Sequence, residues 1–120
     1  LQGYIAQNMK VTENGVGYIK ITEDILNQYQ ADVASAGNMI NNFNYIDEVL
    51  VWLAVTEDKK NNIIKINIRS RGPVINTVAE RYNGGGHKLA SGARVSTMEE
   101  VDCLIDDLDN TCLNYINNQD

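Results

Sequence analysis

A single histidine, His87, stands in the whole chain, so a metal centre built from several imidazoles cannot form within it. The only two cysteines, Cys103 and Cys112, sit nine residues apart on what reads as one helix. At about 100° per residue they face opposite sides, which excludes a mutual disulfide and a shared metal. The expectation is two free, buried thiols in a reducing cytoplasm. Neither has a basic neighbour in sequence to lower its pKa, and no Gly-x-Ser-x-Gly elbow occurs, so a complete hydrolytic site is not expected here. No stretch approaches the roughly 18 apolar residues of a membrane span. Nothing at the N-terminus resembles a secretory signal, and the chain opens on Leu1 in what already reads as a strand. These features point to a cytoplasmic piece of a longer protein, with no membrane partner.

What is present describes one globular domain over residues 1–120: 43% hydrophobic and 22% charged residues, with a net charge of −6. That charge is unevenly spread. Between Lys65 and Arg94 six basic residues (Lys65, Arg69, Arg71, Arg81, Lys88, Arg94) meet one acid, Glu80, whereas the remainder holds four basic and fifteen acidic residues. A small anion is drawn to the basic stretch, while long-range attraction to bulk nucleic acid is discouraged.

Periodicity predicts an α/β (α+β) domain, a mixed central sheet of about five strands flanked by helices. Residues 3–11 and 16–21 read as strands joined at Asn14-Gly15, a dipeptide that tolerates positive φ. Thr22 and Asp32 are N-caps of two short helices, the first with Ile25, Leu26 and Tyr29 on one side, the second with Val33, Ala36, Ile40 and Phe43 on one face. Both are expected to cover one sheet face. Residues 49–56 are apolar on both alternating sets, as in a central strand buried on both sides. In the next strand Ile64, Ile66 and Ile68 alternate with Lys65, Asn67 and Arg69, so the isoleucines face the core and the polar set the other side; Gly72-Pro73 ends it. A short helix carrying Ile75, Val78, Ala79 and Tyr82, with a Thr77/Glu80 capping box, leads into the glycines. A last strand over 91–95 precedes a Ser96/Glu99 capping box and a long helix with Val101, Leu104, Ile105, Leu108, Cys112, Tyr115 and Ile116 on its buried face. Its acids read as a solvated outer face rather than a cation site, and residues 114–120 are expected to fray.

The segment Asn83-Gly84-Gly85-Gly86-His87-Lys88-Leu89-Ala90-Ser91-Gly92 is the least ordinary stretch. Three consecutive glycines surrender backbone entropy, so the segment needs positive φ or close approach to bare backbone. Successive N–H groups in such a turn form an anion-binding concavity, and His87 and Lys88 add two donors. Neither a Gly-x-Gly-x-x-Gly register nor a following Gly-Lys-Ser/Thr is present, which excludes the Rossmann and Walker loops. The plain alternative is a turn between a helix and a strand.

Arg69-Ser70-Arg71, followed after a short helix by Gly84-Gly85-Gly86-His87-x-x-Ala90-Ser91-Gly92, resembles the signature of the DHH-associated domain, the C-terminal substrate-binding half of DHH-family phosphoesterases. The common motif is Gly-Gly-Gly-His-x-x-Ala-Ala-Gly, and Ser91 is the one departure. Over its whole length the chain most resembles the bacterial bifunctional oligoribonuclease and phosphoadenosine-phosphate phosphatases. The resemblance implies a separate N-terminal DHH domain, absent from this chain, that holds catalytic manganese. It implies substrate binding by Arg69, Ser70, Arg71, Gly84, Gly85, Gly86, His87 and Lys88, with His87 a phosphate ligand rather than the general base. Arg94 is a secondary candidate. No catalytic or metal-binding residue and no cofactor is expected in the chain itself, which alone should be inactive. The implied partners are a very short RNA or a nucleotide bisphosphate and the DHH domain of the same protein. The alternative is an accessory RNA-binding module of the kind found in alanyl-tRNA synthetases.

Overall fold

The computed structural model describes residues 2–39 and 48–118. Their elements run α1 (Gln2–Asn8), β1 (Lys10–Val11), β2 (Val16–Ile21), α2 (Glu23–Gln28), α3 (Val33–Asn38), β3 (Val51–Asp58), β4 (Ile63–Ser70), α4 (Asn76–Glu80), β5 (Gly85–His87), β6 (Ala90–Val95) and α5 (Met98–Asn117). The strands form one sheet in the order β1-β2-β3-β4-β6-β5. Among the described strands only the β2–β3 pair is parallel, so the sheet is mixed.

Alternation decides what each face buries. Ile64, Ile66 and Ile68 of β4 join Val51, Leu53 and Val55 of β3 and Ala93 and Val95 of β6 beneath α4 and α5. The α5 stripe of Val101, Leu104, Ile105, Leu108 and Cys112 is buried there, each large aliphatic side chain contributing about 2 kcal/mol. On the opposite face Ile19, Ile21, Trp52 and Ala54 pack with Ile5, Leu26 and Ala36 from α1, α2 and α3. Burial on both sides makes β3 the central strand that its unbroken apolar run predicts.

Several elements differ from the sequence reading. Residues 3–8 are helical, because at helical spacing Ile5 and Met9 reach the same apolar cluster, and burial outweighs the strand preference of Tyr4 and Ile5. The sheet has six strands rather than five, since Gly85–His87 pairs with β6 where a turn was expected. Thr77 lies inside α4; its N-cap, Ile75, makes no side-chain capping bond and is instead anchored by burial and by its N–H donating to the Lys88 carbonyl at 2.9 Å. The second capping box falls one residue later: Thr97 Oγ1 accepts from the Glu100 N–H at 3.2 Å while Glu100 Oε1 accepts from the Ser96 N–H at 3.1 Å. Cys103 is exposed and only Cys112 is buried, its thiol pushed up to about 12 by burial. Helix α5 continues through Asn117 instead of fraying at 114, and its Ile116 is exposed. Thr22 and Asp32 cap α2 and α3 as expected; Ile40 and Phe43 lie outside the described residues.

The β1–β2 turn is stapled to α5 by one carboxylate. Asp109 accepts from the Thr12 hydroxyl, from the Asn14 N–H at 3.0 Å and from Asn14 Nδ2 at 2.7 Å. Partial burial raises its pKa, but the bonds from Thr12 and Asn14 outweigh this and hold it below the ordinary 3.8. A depressed folded-state pKa contributes stability above the unfolded value that is lost as pH falls from about 4 through the folded one. Asp109→Ala should therefore cost about 1.5 kcal/mol at pH 7, with the difference from wild type shrinking in chemical denaturation at pH 3. An equal difference at both pH values would contradict the staple.

Candidate phosphate-binding cleft

Strand β4 delivers the arginines. Arg69 is half-buried and its guanidinium donates to the Ile68 carbonyl at 2.9 Å. Just past the strand end, the exposed Arg71 lies over the Trp52 ring, Cζ 5.6 Å from the centroid, so the parity shared by the two arginines is realised. Ser70 points the other way and is buried, donating to the Pro73 carbonyl at 2.6 Å and accepting from the Gly72 N–H at 3.1 Å. Its hydroxyl closes the turn that separates Arg69 from α4, and it is not brought to the same face as Arg69.

The glycines leave α4 through a tight exit. Asn83 adopts φ 62°, its Nδ2 donating to the Arg94 carbonyl at 3.3 Å, and the Gly84 N–H turns back to the Ala79 carbonyl at 3.0 Å. The preceding Tyr82 is tied to α5 through its hydroxyl, which donates to Asp107; burial first, then that bond, pushes the phenol up to about 12. Backbone then lies directly on backbone: a Cβ at Gly84 would come within 1.9 Å of the Gly92 carbonyl oxygen. Gly86, at φ 143°, would set a Cβ 2.8 Å from the Ala90 oxygen. Gly85 and Gly86 thus belong to an edge strand that Gly84 leads into, rather than to a free nest of three amides. Because β5 ends the sheet, alternate backbone groups along it point away from the ladder. His87 and Lys88 are exposed at the β5–β6 turn. Ser91, the departure from the common motif, is buried and donates to the His87 carbonyl at 2.7 Å, bracing the histidine's backbone.

Register assembles these pieces, since directly opposed residues share a face. One row runs Trp52, Arg69, Ala90, His87; the next runs Ala54, Asn67, Gly92, Gly85; a third runs Thr56, Lys65, Arg94. The apolar cluster on this face ends at β3. Beyond it β4, β6 and β5 present a basic, polar half-face with a glycine floor. Here lies a cleft of about 450 Å³ lined by Lys65, Asn67, Asn83, Gly85, Gly92 and Arg94. Arg69 and His87 occupy the adjoining row. Asn67 also meets α3, where a Cβ on Gly37 would fall 2.0 Å from its Nδ2. Lys65 and Asn67 were not among the residues the motif singles out, although their parity with Arg69 is the signal that places them here. Arg81 is carried off to Asp107, 4.0 Å away.

The half-face carries cationic and amide donors, the chemistry of oxyanion recognition. Among the described residues no three or more His, Cys, Asp or Glu side chains gather as a metal-ligand group, and no helix is long and apolar enough to cross a membrane.

Known proteins resemble this chain over most of its length. The chain is 36% identical over 112 residues to the bifunctional oligoribonuclease and PAP phosphatase NrnA of Bacillus subtilis, covering 93% of this chain and 35% of that protein. It is 33% identical over 110 residues to a probable NrnA of Streptococcus mutans, covering 92% and 35%. The chain therefore spans about a third of the length of these curated relatives. Among solved structures it matches an exopolyphosphatase-related protein from Bacteroides fragilis with a TM-score of 0.78 at 29% identity, covering 95% of this chain and 33% of that one. The fold is also shared with the pGpG-specific phosphodiesterase PggH of Vibrio cholerae, with a TM-score of 0.62 at 15% identity over 95% of this chain and 38% of that one. A model of the DHHA1 domain matches residues 13–114, from the first hairpin to the last turns of α5, and takes in the whole half-face: the chain belongs to the DHHA1 domain family.

Proposed function

We propose that this chain is the substrate-binding half of a DHH-family phosphoesterase acting on very short RNA, on 3′-phosphoadenosine 5′-phosphate, or on both. The observation that carries the reading is the convergence of Arg69, His87 and the Gly84–Gly86 edge on one half-face beside the cleft. In this reading the arginine fork and His87 hold a terminal phosphate, Arg71 and the glycine backbone complete its surroundings, and Lys88 adds charge at the turn. Ser70 positions the two arginines through the turn it closes. The names of the NrnA relatives support the substrate class.

Hydrolysis is assigned to an N-terminal DHH domain outside this chain. In the proposal the manganese belongs to that other domain, where it would activate water and stabilise the leaving oxygen. This chain binds and orients. An accessory module for longer RNA would need aromatic stacking positions along a basic track. Of the described aromatics, Tyr4 and Tyr29 pair at 6.0 Å, Tyr18 lies under Lys20, Tyr82 is bonded to Asp107, Tyr115 belongs to α5, and Trp52, in the row of Arg69, is buried under Arg71 rather than open to a base.

The test is an NMR titration of the labelled chain with a 5′-phosphorylated dinucleotide and its unphosphorylated twin. Amide shifts at 69–71 and 84–88 that require the phosphate are expected. Equal shifts from both ligands, or none at millimolar ligand in either the chain or its full-length parent, would overturn the reading.

A further inference from the structure

Lys65 and Arg94 stand directly opposite each other on neighbouring antiparallel strands, on the same face. Like charges so opposed repel, and the chain as a whole is acidic, with a net charge of −6. Neither residue has an ion-pair partner among the described residues, where the ion pairs are Lys20–Asp102 and Arg81–Asp107. The Lys65 charge is felt by Asp58, whose pKa is lowered first by its bond from Asn61 and, as a lesser cause, by Lys65. Asp58 is committed to the β3–β4 turn, accepting from Asn61 Nδ2 at 2.8 Å. The Arg94 backbone is pinned through both its polar groups to the α4 exit, its N–H donating to the Tyr82 carbonyl at 3.0 Å and its carbonyl accepting from Asn83. A repulsive pair is thus held in place on rigid strands at the rim of the cleft.

The cleft bounded by the pair continues past it. Lys65 and Arg94 line both the 450 Å³ cleft and a second hollow of about 440 Å³ that runs on to Asp58 and Asn61. Along β4 they lie four residues from Arg69, on the order of 13 Å at strand rise. That span exceeds the separation of two phosphates on one ribose. Between the rows, Gly92 and Gly85 leave flat backbone and Asn67 offers a carboxamide.

We propose that Lys65 and Arg94 form a second anion subsite that takes a downstream internucleotide phosphate, so that it discriminates oligonucleotides from a mononucleotide bisphosphate. This rests on the reading that Arg69 and His87 hold the terminal phosphate. The pair is relieved of its repulsion when the phosphate arrives, which makes the gain specific to ligands long enough to reach it.

The test measures binding of a 5′-phosphorylated trinucleotide and of adenosine 3′,5′-bisphosphate to the full-length parent, with wild type, Lys65→Met/Arg94→Met and Arg94→Glu. In the double variant trinucleotide affinity is expected to fall about tenfold and its log–log salt slope to become shallower by about 1.4, while bisphosphate affinity stays within about twofold. Arg94→Glu places an opposite charge across from Lys65, so it should raise the thermal midpoint while weakening the trinucleotide, which separates lost binding from lost folding. Unchanged trinucleotide binding, or equal weakening of both ligands, would overturn the subsite even where the bisphosphate still depends on Arg69 and His87. Bisphosphate binding that is indifferent to Arg69→Ala and His87→Ala would instead remove the terminal-phosphate site, and the subsite with it.

Discussion

Alanine at Gly84 is expected to lower the unfolding free energy by about 3 kcal/mol and the thermal midpoint by about 12 °C. The cause is collision rather than backbone strain. A Cβ there would sit 1.9 Å from the Gly92 oxygen and 2.7 Å from the Ala93 Cα, both of them backbone atoms on a strand that β4 holds from the other side. Relief would require β5 to lift from β6 or the α4 exit to unwind. Gly85 is the control: its Cβ would meet only Glu80 Cγ, at 3.7 Å, leaving the strain of φ 158° and a loss of about 1 kcal/mol. Thermal unfolding followed by circular dichroism compares the two directly. A Gly84→Ala loss no larger than that of Gly85→Ala would mean that the edge strand moves aside freely and that the floor of the cleft is not rigid.

Arg69→Ala and His87→Ala are each expected to lower kcat/KM of the full-length parent about 30-fold, as removal of one charge-assisted bond worth about 2 kcal/mol requires. Folding should hardly notice the second change, since His87 is exposed and its backbone is braced independently by Ser91. Its midpoint should stay within about 2 °C of wild type. Arg69 is half-buried and bonded to the Ile68 carbonyl, so a loss of about 1 kcal/mol should accompany its removal. The double variant should lose less than the product of the singles, because two donors to one phosphate act as a unit. Turnover at the wild-type rate in both single variants would sink the assignment of the terminal-phosphate site.

Much of the molecule was legible in advance. The unbroken apolar run of β3, the alternating isoleucines of β4 and the i, i+3, i+4 stripe of α5 are strong periodic signals, and Thr22 and Asp32 announce their helices by capping chemistry. Residue type and order singled out the Arg69–Arg71 and Gly84–His87 motifs, and the structure brings Arg69 and His87 onto one half-face while Ser70 turns to the other. Short elements were not legible. Helix α1 has seven residues and a mixed pattern, so the cluster it reaches decides its conformation. Strand β5 is built largely of glycine, a residue with no preference for strands, and exists because β6 offers a partner and bare backbone can lie against it.

Composition and periodicity by themselves determined a mixed α/β domain, and the arginines with the glycine–histidine segment gave a resemblance to the family that the comparison then showed. Which side chains share a cleft was decided only by tertiary structure. Lys65 and Arg94 are 29 positions apart and meet because β4 and β6 pair in one register; a slip of one residue would turn one of them into the core. Periodicity reports the local question of which face a residue takes. Register is a long-range outcome, settled when the whole core packs, and here it sets two cations opposite each other at the rim of a glycine floor.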